Sequence, residues 1–226
     1  MESIADRLAA LHQRVAAACA SAGRLARDVE LLAVSKTFPA EAVKEAYDAG
    51  QRAFGESRQQ EAAPKIGVLP ADIRWHFIGG LQRNKARKVM ADFSVIHSID
   101  SLRLAEYLDR IAGEEKKRPR VYIEVNVASE ASKGGFAPEE LLASAERLPV
   151  FRHLDILGLM AIPPEDDPGR WFAATRELRD RLETASGLSL PGLSMGMSGD
   201  FELAILEGST IVRVGSALFG NRTYSS

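Results

Sequence analysis

The chain is poor in the features that mark several large classes of protein. A single cysteine, Cys19, among 226 residues excludes an internal disulfide. It lies among alanines in a helical pattern and reads as small packing matter, not a reactive thiol. No apolar run approaches the roughly 20 residues that a membrane-spanning helix needs. The opening Met1-Glu2-Ser3-Ile4-Ala5-Asp6-Arg7 has no positive region followed by an apolar core, so no signal peptide is expected. The formal net charge is only −2, which argues against a general nucleic-acid binder with its basic face or stripe. His12, His97 and His153 stand isolated, and no His, Cys and carboxylate cluster has metal-ligand spacing, so no metal is expected. Linkers and low-complexity tracts are missing too, and Glu114-Glu115-Lys116-Lys117-Arg118 reads as a solvated turn. A cytoplasmic protein with no membrane or nucleic-acid partner is expected.

What is present is ordinary globular material, 46% hydrophobic and 27% charged. Ile4, Leu8, Leu11 and Val15 recur at helical spacing, so residues 1–22 read as an amphipathic N-terminal helix ended by Gly23. Short apolar runs then alternate with helical patterns. The expected strands are Leu31–Ser35, Arg52–Gly55, Arg74–Ile78, Val95–Ser98, Arg120–Val127, Asp155–Leu159, a weak one at Leu193–Met195, and Ile211–Val214. Pro39 opens and Gly50 stops the helix after the first strand. Asp100 or Ser101 caps the helix holding Leu102, Ala105 and Leu108, which Gly113 closes. Pro138 and the Asp167-Pro168 pair open two more. About eight βα units in one domain of this length favour a closed (β/α)8 TIM barrel, class α/β, over an open doubly wound sheet. Residues 1–226 are expected to form this single domain, with the first helix packed on the barrel.

A barrel concentrates function at the C-terminal ends of its strands, and phosphates often bind after strands seven and eight. Lys36 follows the first strand in Leu31-Leu32-Ala33-Val34-Ser35-Lys36. Ser198 follows the seventh in Ser194-Met195-Gly196-Met197-Ser198-Gly199-Asp200, and Gly215-Ser216 follows the eighth. Strand one adjoins strand eight in a closed barrel, so these distant groups converge. Lysine forms Schiff bases when its amine is partly neutral. The two Gly/Ser turns offer backbone N–H groups and hydroxyls to an anion. Asp200 is placed to cap the helix that follows. An amine beside two anion cradles suits a phosphorylated aldehyde, with pyridoxal 5'-phosphate (PLP) the first candidate. Arg213 is the odd polar residue on an apolar strand; it either points into the barrel mouth or pairs with a carboxylate such as Glu207. His76, between aromatics, is a core histidine or a pocket wall. Gln82, Asn84 and Lys85 extend polar reach near the mouth, and Lys133 is either a second pocket amine or an exposed loop lysine.

These residues resemble the YggS/PROSC-type family of PLP-binding proteins, known for pyridoxal phosphate homeostasis. The resemblance covers essentially the whole chain. It is carried by Ala33-Val34-Ser35-Lys36-Thr37, Phe54-Gly55-Glu56, His76-Phe77-Ile78-Gly79 with Leu81-Gln82 and Asn84-Lys85, and Ser132-Lys133-Gly134. It continues in Gly158-Leu159-Met160-Ala161-Ile162, Ser194 to Asp200, and Val212-Arg213-Val214-Gly215. The resemblance implies a barrel like the N-terminal domain of alanine racemases, with PLP bound as a covalent aldimine on Lys36. It also implies phosphate contacts from Ser198, Gly215 and Ser216, Arg213 facing the pyridine nitrogen, and Met160 and His76 lining the pocket. Where the family has Asn after Phe-Gly-Glu, this chain has Ser57, so that residue's role is not carried over.

An acid opposite the pyridine nitrogen keeps PLP an electron sink in many carbanion-forming enzymes. An arginine there does not give up a proton near neutral pH and weakens the sink. Alanine racemases resemble this arrangement but add a second domain with a tyrosine base, for which the tail through Tyr224 leaves no room. The expectation is a PLP-binding carrier or regulator without robust turnover. PLP is its ligand, apo forms of PLP-dependent enzymes are candidate recipients, and a monomer is favoured over a dimer. The enzyme-class alternative is a fold-type III amino-acid racemase, and a Schiff-base aldolase acting on a sugar phosphate stands third.

Overall fold

A computed structural model describes residues 2–130 and 133–220. Eight parallel strands close into a barrel in sequence order: β1 Glu30–Val34, β2 Ala53–Glu56, β3 Arg74–Phe77, β4 Val95–Ile99, β5 Arg120–Val125, β6 Asp155–Ala161, β7 Gly192–Ser194 and β8 Ile211–Val214. Every expected strand is present, including the weak seventh. Closure pairs Leu32 with Arg213 and Ala33 with Val214. The C-terminal ends of the first and last strands therefore lie side by side.

Strand alternation sends one set of side chains inward and the other toward the helices. The inward set builds an apolar cluster of Leu32, Ala53, Val95, Tyr122, Met160 and Ile211. The outward set, among them Phe54, Ile96, Ile123 and Val212, joins the larger layer between strands and helices. The helices in chain order are α1 Ile4–Ser21, α2 Ala40–Asp48, α3 Gln59–Val68, α4 Ala86–Asp92, α5 Leu102–Glu114, α6 Pro138–Ala143, α7 Pro168–Ser186, α8 Phe201–Leu206 and α9 Ser216–Phe219. α5 shows the local logic. Ser101 Oγ accepts the Leu104 N–H at 3.3 Å, and Leu104, Ala105, Leu108, Ile111 and Ala112 form one buried face. Each large aliphatic side chain buried this way contributes about 1.5–3 kcal/mol.

α1 begins with a capping box in which Ser3 and Asp6 satisfy each other's backbone N–H groups. It lies across α2, α8 and α9. Arg7 Nε donates to the Leu218 carbonyl at 2.6 Å, and the Arg14 guanidinium stacks 4.5 Å from the Phe201 ring centroid. β6 approaches β7 so closely that a Cβ on Gly158 would stand 1.8 Å from the Gly192 carbonyl oxygen. Only glycine fits there. Among the described residues no helix is long and apolar enough to cross a membrane.

Candidate functional site

At the C-terminal mouth of the barrel a cavity of about 570 Å3 opens between the ends of β1, β6, β7 and β8. That size suits a small-molecule ligand. Lys36, Met160, Ser198, Arg213, Gly215 and Ser216 all line it. Phe38, Ile78 and Ile162 add apolar wall, and Glu165 adds a carboxylate at the rim.

Lys36 is held by a tight turn. The Phe38 N–H donates to the Ser35 carbonyl at 3.1 Å, which puts Lys36 and Thr37 at the two central positions. Thr37 adopts φ 71°, a left-handed conformation that costs a β-branched residue roughly 1–2 kcal/mol. Buried polar groups under the turn offset that cost. Lys65 Nζ donates to the same Ser35 carbonyl at 3.0 Å and to Glu56 Oε1 at 2.7 Å. Ser35 Oγ donates to Glu56 Oε1 at 2.6 Å. The Glu56 and Lys65 side chains are only 0% and 11% exposed, so this is a buried ion pair beneath the lysine turn. Lys65 carries no motif that marks it in the sequence, although it shares the buried face of α3 with Gln59 and Ala62. A lysine three residues after a core alanine on such a face is the signal that reveals it.

The anion side is built from β7 and β8. Gly196 takes φ 91°, and a Cβ there would lie 2.6 Å from the Ala204 Cβ, so glycine fixes the turn that carries Ser198. Asp200 braces the loop by accepting the Met197 N–H at 2.6 Å. Ser198 Oγ accepts the N–H groups of Gly215 at 3.3 Å and Ala217 at 3.4 Å. A hydroxyl and converging backbone N–H groups thus occupy one corner of the cavity, a donor set that fits a phosphate. Gly215 itself meets only Val34 at ordinary contact distance, leaving that approach open.

Arg213 is 5% exposed. Its Nη1 donates to the Ser194 carbonyl at 2.6 Å and to Ser194 Oγ at 2.8 Å, and its Nη2 to the Ala161 carbonyl at 2.8 Å. Burial pushes its pKa down to about 10, with Glu124 and Asp200 pulling the other way. It remains a cation at neutral pH, held rigidly at the cavity. Of the two expected orientations the barrel mouth is correct, because Glu207 pairs with Arg176 instead.

Other expected residues go elsewhere. His76 is a correction: it does not line the cavity but sits one inward position deeper on β3, 2% exposed, with Nδ1 3.0 Å from His97 Nε2. Ile78, two residues on and on the same face, takes the wall position. Ser57, Gln82 and Lys85 line a separate cavity of about 260 Å3, so the Ser57 departure lies outside the Lys36 cavity. Lys133 pairs with Glu130 at 2.6 Å and reaches the Ile162 carbonyl at 3.2 Å, outside the cavity lining. Tyr224 and Ser132 fall outside the described residues.

A closed parallel barrel with a lysine after its first strand and an anion cradle after its last two defines a ligand-binding α/β barrel of the alanine racemase type. Residues 7–223 match the family model described as "Alanine racemase, N-terminal domain". The pyridoxal phosphate homeostasis protein of Pseudomonas aeruginosa is 46% identical over 229 residues, covering 100% of this chain and 99% of that protein. Its Aquifex aeolicus counterpart is 43% identical over 224 residues, covering 97% and 98%. The solved structure of PipY from Synechococcus elongatus with PLP bound superposes with a TM-score of 0.85 at 42% identity, covering 96% of this chain and 100% of that one. Alanine racemase from Bartonella henselae shares the fold at 18% identity and a TM-score of 0.69, and 61% of its length is covered. The chain belongs to the pyridoxal phosphate homeostasis proteins, within the alanine racemase N-terminal-domain family.

Proposed function

We propose that this chain binds PLP in the Lys36 cavity, through a covalent bond from Lys36 Nζ, and acts in PLP homeostasis as a carrier or buffer and not as an enzyme with robust turnover. The observation that carries this reading is the meeting of Lys36, the Ser198–Gly215 cradle and the Arg213 cation in one cavity. PLP supplies an aldehyde for the amine, a phosphate for the cradle and a pyridine nitrogen for the cation. Lys36 Nζ would hold the aldehyde carbon through a C=N bond, the carbonyl oxygen leaving with the two amine protons as water. The Ser198 hydroxyl and the Gly215 and Ser216 backbone would hold the phosphate, and Met160 on β6 would offer the ring an apolar wall. PipY carries PLP in a barrel of the same topology, which supports the assignment.

Arg213 is in keeping with the carrier reading but does not by itself select it, since alanine racemases resemble this arrangement. A guanidinium locked by three hydrogen bonds to Ser194 and Ala161 presents N–H donors and no removable proton. Beside the pyridine nitrogen it would leave that nitrogen unprotonated, which would weaken the electron sink that carbanion chemistry uses. Candidate recipients are apo forms of PLP-dependent enzymes.

Titration of the protein with PLP is expected to produce a visible absorbance band that Lys36→Ala abolishes while Lys133→Ala keeps it. An unchanged band in Lys36→Ala removes Lys36 from the role. Incubating the PLP-loaded protein with L-amino acids in D2O tests the carrier half. Cα exchange at roughly 1–1000 per second, the ordinary enzymatic range, overturns it.

A further inference from the structure

Below the cavity a line of polar side chains crosses the barrel interior from β8 to β1. Arg213 Nη1 donates to Ser194 Oγ at 2.8 Å. Ser194 Oγ is 2.9 Å from His97 Nδ1, and His97 Nε2 is 3.0 Å from His76 Nδ1. At the far end His76 Nε2 faces Glu30 Oε2 at 3.8 Å, where the Glu30 side chain is 30% exposed. Ser194 and His97 are fully buried. The Tyr122 ring stacks on His97 at 4.8 Å between centroids.

Proton counting gives this line a direction. Arginine only donates, so Ser194 Oγ accepts from it. Burial holds both imidazoles neutral: desolvation outweighs the pull of Glu30 on His76, and at His97 the neighbouring His76 and Arg213 lower the pKa further. Each ring then has one N–H and one lone pair. Two arrangements satisfy the His97–His76 bond. In one, the Ser194 hydroxyl donates to His97 Nδ1, His97 Nε2–H donates to His76 Nδ1, and His76 Nε2–H points at Glu30. In the other the links made by the two histidines are reversed, while Arg213 still donates to Ser194 Oγ. Ser194 Oγ then receives two donors and its own hydrogen has no acceptor among the described residues. The His76 Nε2 lone pair would also face a carboxylate. A stranded buried hydroxyl and a repulsive lone pair both disfavour the reversal. The distance of 3.8 Å is too long for a hydrogen bond, so Glu30 acts on His76 through charge, with Arg74 paired to it and Arg120 near by.

We infer that the hydrogen bonds run one way, Arg213 to Ser194 to His97 to His76 and on toward Glu30, with both histidines as Nε2–H tautomers, and that this chain fixes the guanidinium at the cavity. His97 and His76 are therefore positioning residues for Arg213. Successive donors polarise one another in the same sense, which strengthens Ser194 Oγ as the acceptor of the Arg213 N–H. The tautomers follow from the protein alone, whereas the effect on PLP rests on the reading of the cavity given above.

Long-range 1H–15N spectra of the imidazoles in the unmodified protein at neutral pH test the direction. His76→Gln and His97→Gln serve only to assign the signals. Both rings are expected with Nε2 protonated and Nδ1 bare; an Nδ1–H or an imidazolium on either overturns the inference. This measurement decides the chain whether or not PLP binds, so its failure is separable from failure of the cofactor reading. Ser194→Ala tests the consequence, with PLP labelled with 15N in its ring. The PLP Kd is expected to rise about tenfold, as for a lost hydrogen bond to a charged group, and the pyridine 15N signal to shift. A folded Ser194→Ala protein with both unchanged overturns the positioning role.

Discussion

Replacing Lys65 by methionine removes the cation under the lysine turn and leaves the Glu56 carboxylate buried with one hydroxyl donor, Ser35 Oγ. Glu56 Oε2 already lacks a hydrogen-bond partner among the described residues, so little remains to solvate the charge. The side chains are 11% and 0% exposed, and solvent screening is slight. Breaking a buried pair by deleting one partner costs about 3–5 kcal/mol. At 2–4 °C per kcal/mol for a chain of this size, that lowers Tm by roughly 6–20 °C. The assay is thermal and urea unfolding of the unmodified protein, Lys65→Met, Glu56→Leu and the double variant. The double variant should be more stable than the sum of the single losses by about 1 kcal/mol or more, since an apolar pair leaves no stranded charge. Lys44→Met is the control. Its partner Asp48 lies 2.6 Å away, but the side chains are 49% and 57% exposed, so its loss should stay within about 0.5 kcal/mol. A Lys65→Met protein within about 1 kcal/mol of the unmodified one refutes the claim that this pair supports the turn.

Thr37→Gly relieves the left-handed φ of 71° and should raise stability by about 0.5–1 kcal/mol while weakening PLP binding through a looser Lys36 turn; melting and titration read the two effects separately. Gly196→Ala brings a Cβ to 2.6 Å from the Ala204 Cβ at φ 91°, and denaturant unfolding should show a loss of roughly 2–4 kcal/mol from overpacking and backbone strain. His76 is held down to about 4 by burial, against an ordinary value of 6.5. The unfolded chain therefore takes up a proton that the folded one refuses between those values. Stability falls as pH drops from 6.5 to 4, by on the order of 3 kcal/mol for this group, and levels off below. His97 adds in the same direction. His76→Gln should flatten the slope in that window, and an unaltered slope contradicts the burial argument.

Much of this architecture could be read from residues alone, because βα alternation and turn chemistry are local. The misses have physical causes. The fifth strand was expected to reach Val127 but ends at Val125, where the Asn126 side chain instead ties the loop through the Glu130 and Lys133 backbone carbonyls. The sixth was expected to stop at Leu159 but runs to Ala161, because the pairing with β5 continues through Glu124–Met160 and Val125–Ala161. Gly113 was expected to close α5, yet the helix runs to Glu114 and Lys116 takes the positive φ of 53°. Gly113 lies inside the helix, where a Cβ would approach the half-exposed His153 ring to 2.9 Å.

The lysine, cradle and arginine of the site were legible because barrel topology fixes which strand ends meet. The depth of His76 was not, because alternation gives the face a residue points to but not the layer it fills. His97 looked isolated along the chain for a related reason. Its partners His76 and Ser194 are 21 and 97 residues away, and only closure of the barrel brings them into line.

The account rests on covalent capture at one amine, and borohydride reduction of the PLP-loaded protein followed by peptide mapping tests that most directly. The label is expected on the peptide carrying Lys36, in near-stoichiometric yield. Label found instead on Lys65, Lys85 or Lys133, or no stable label while PLP stays bound, contradicts it.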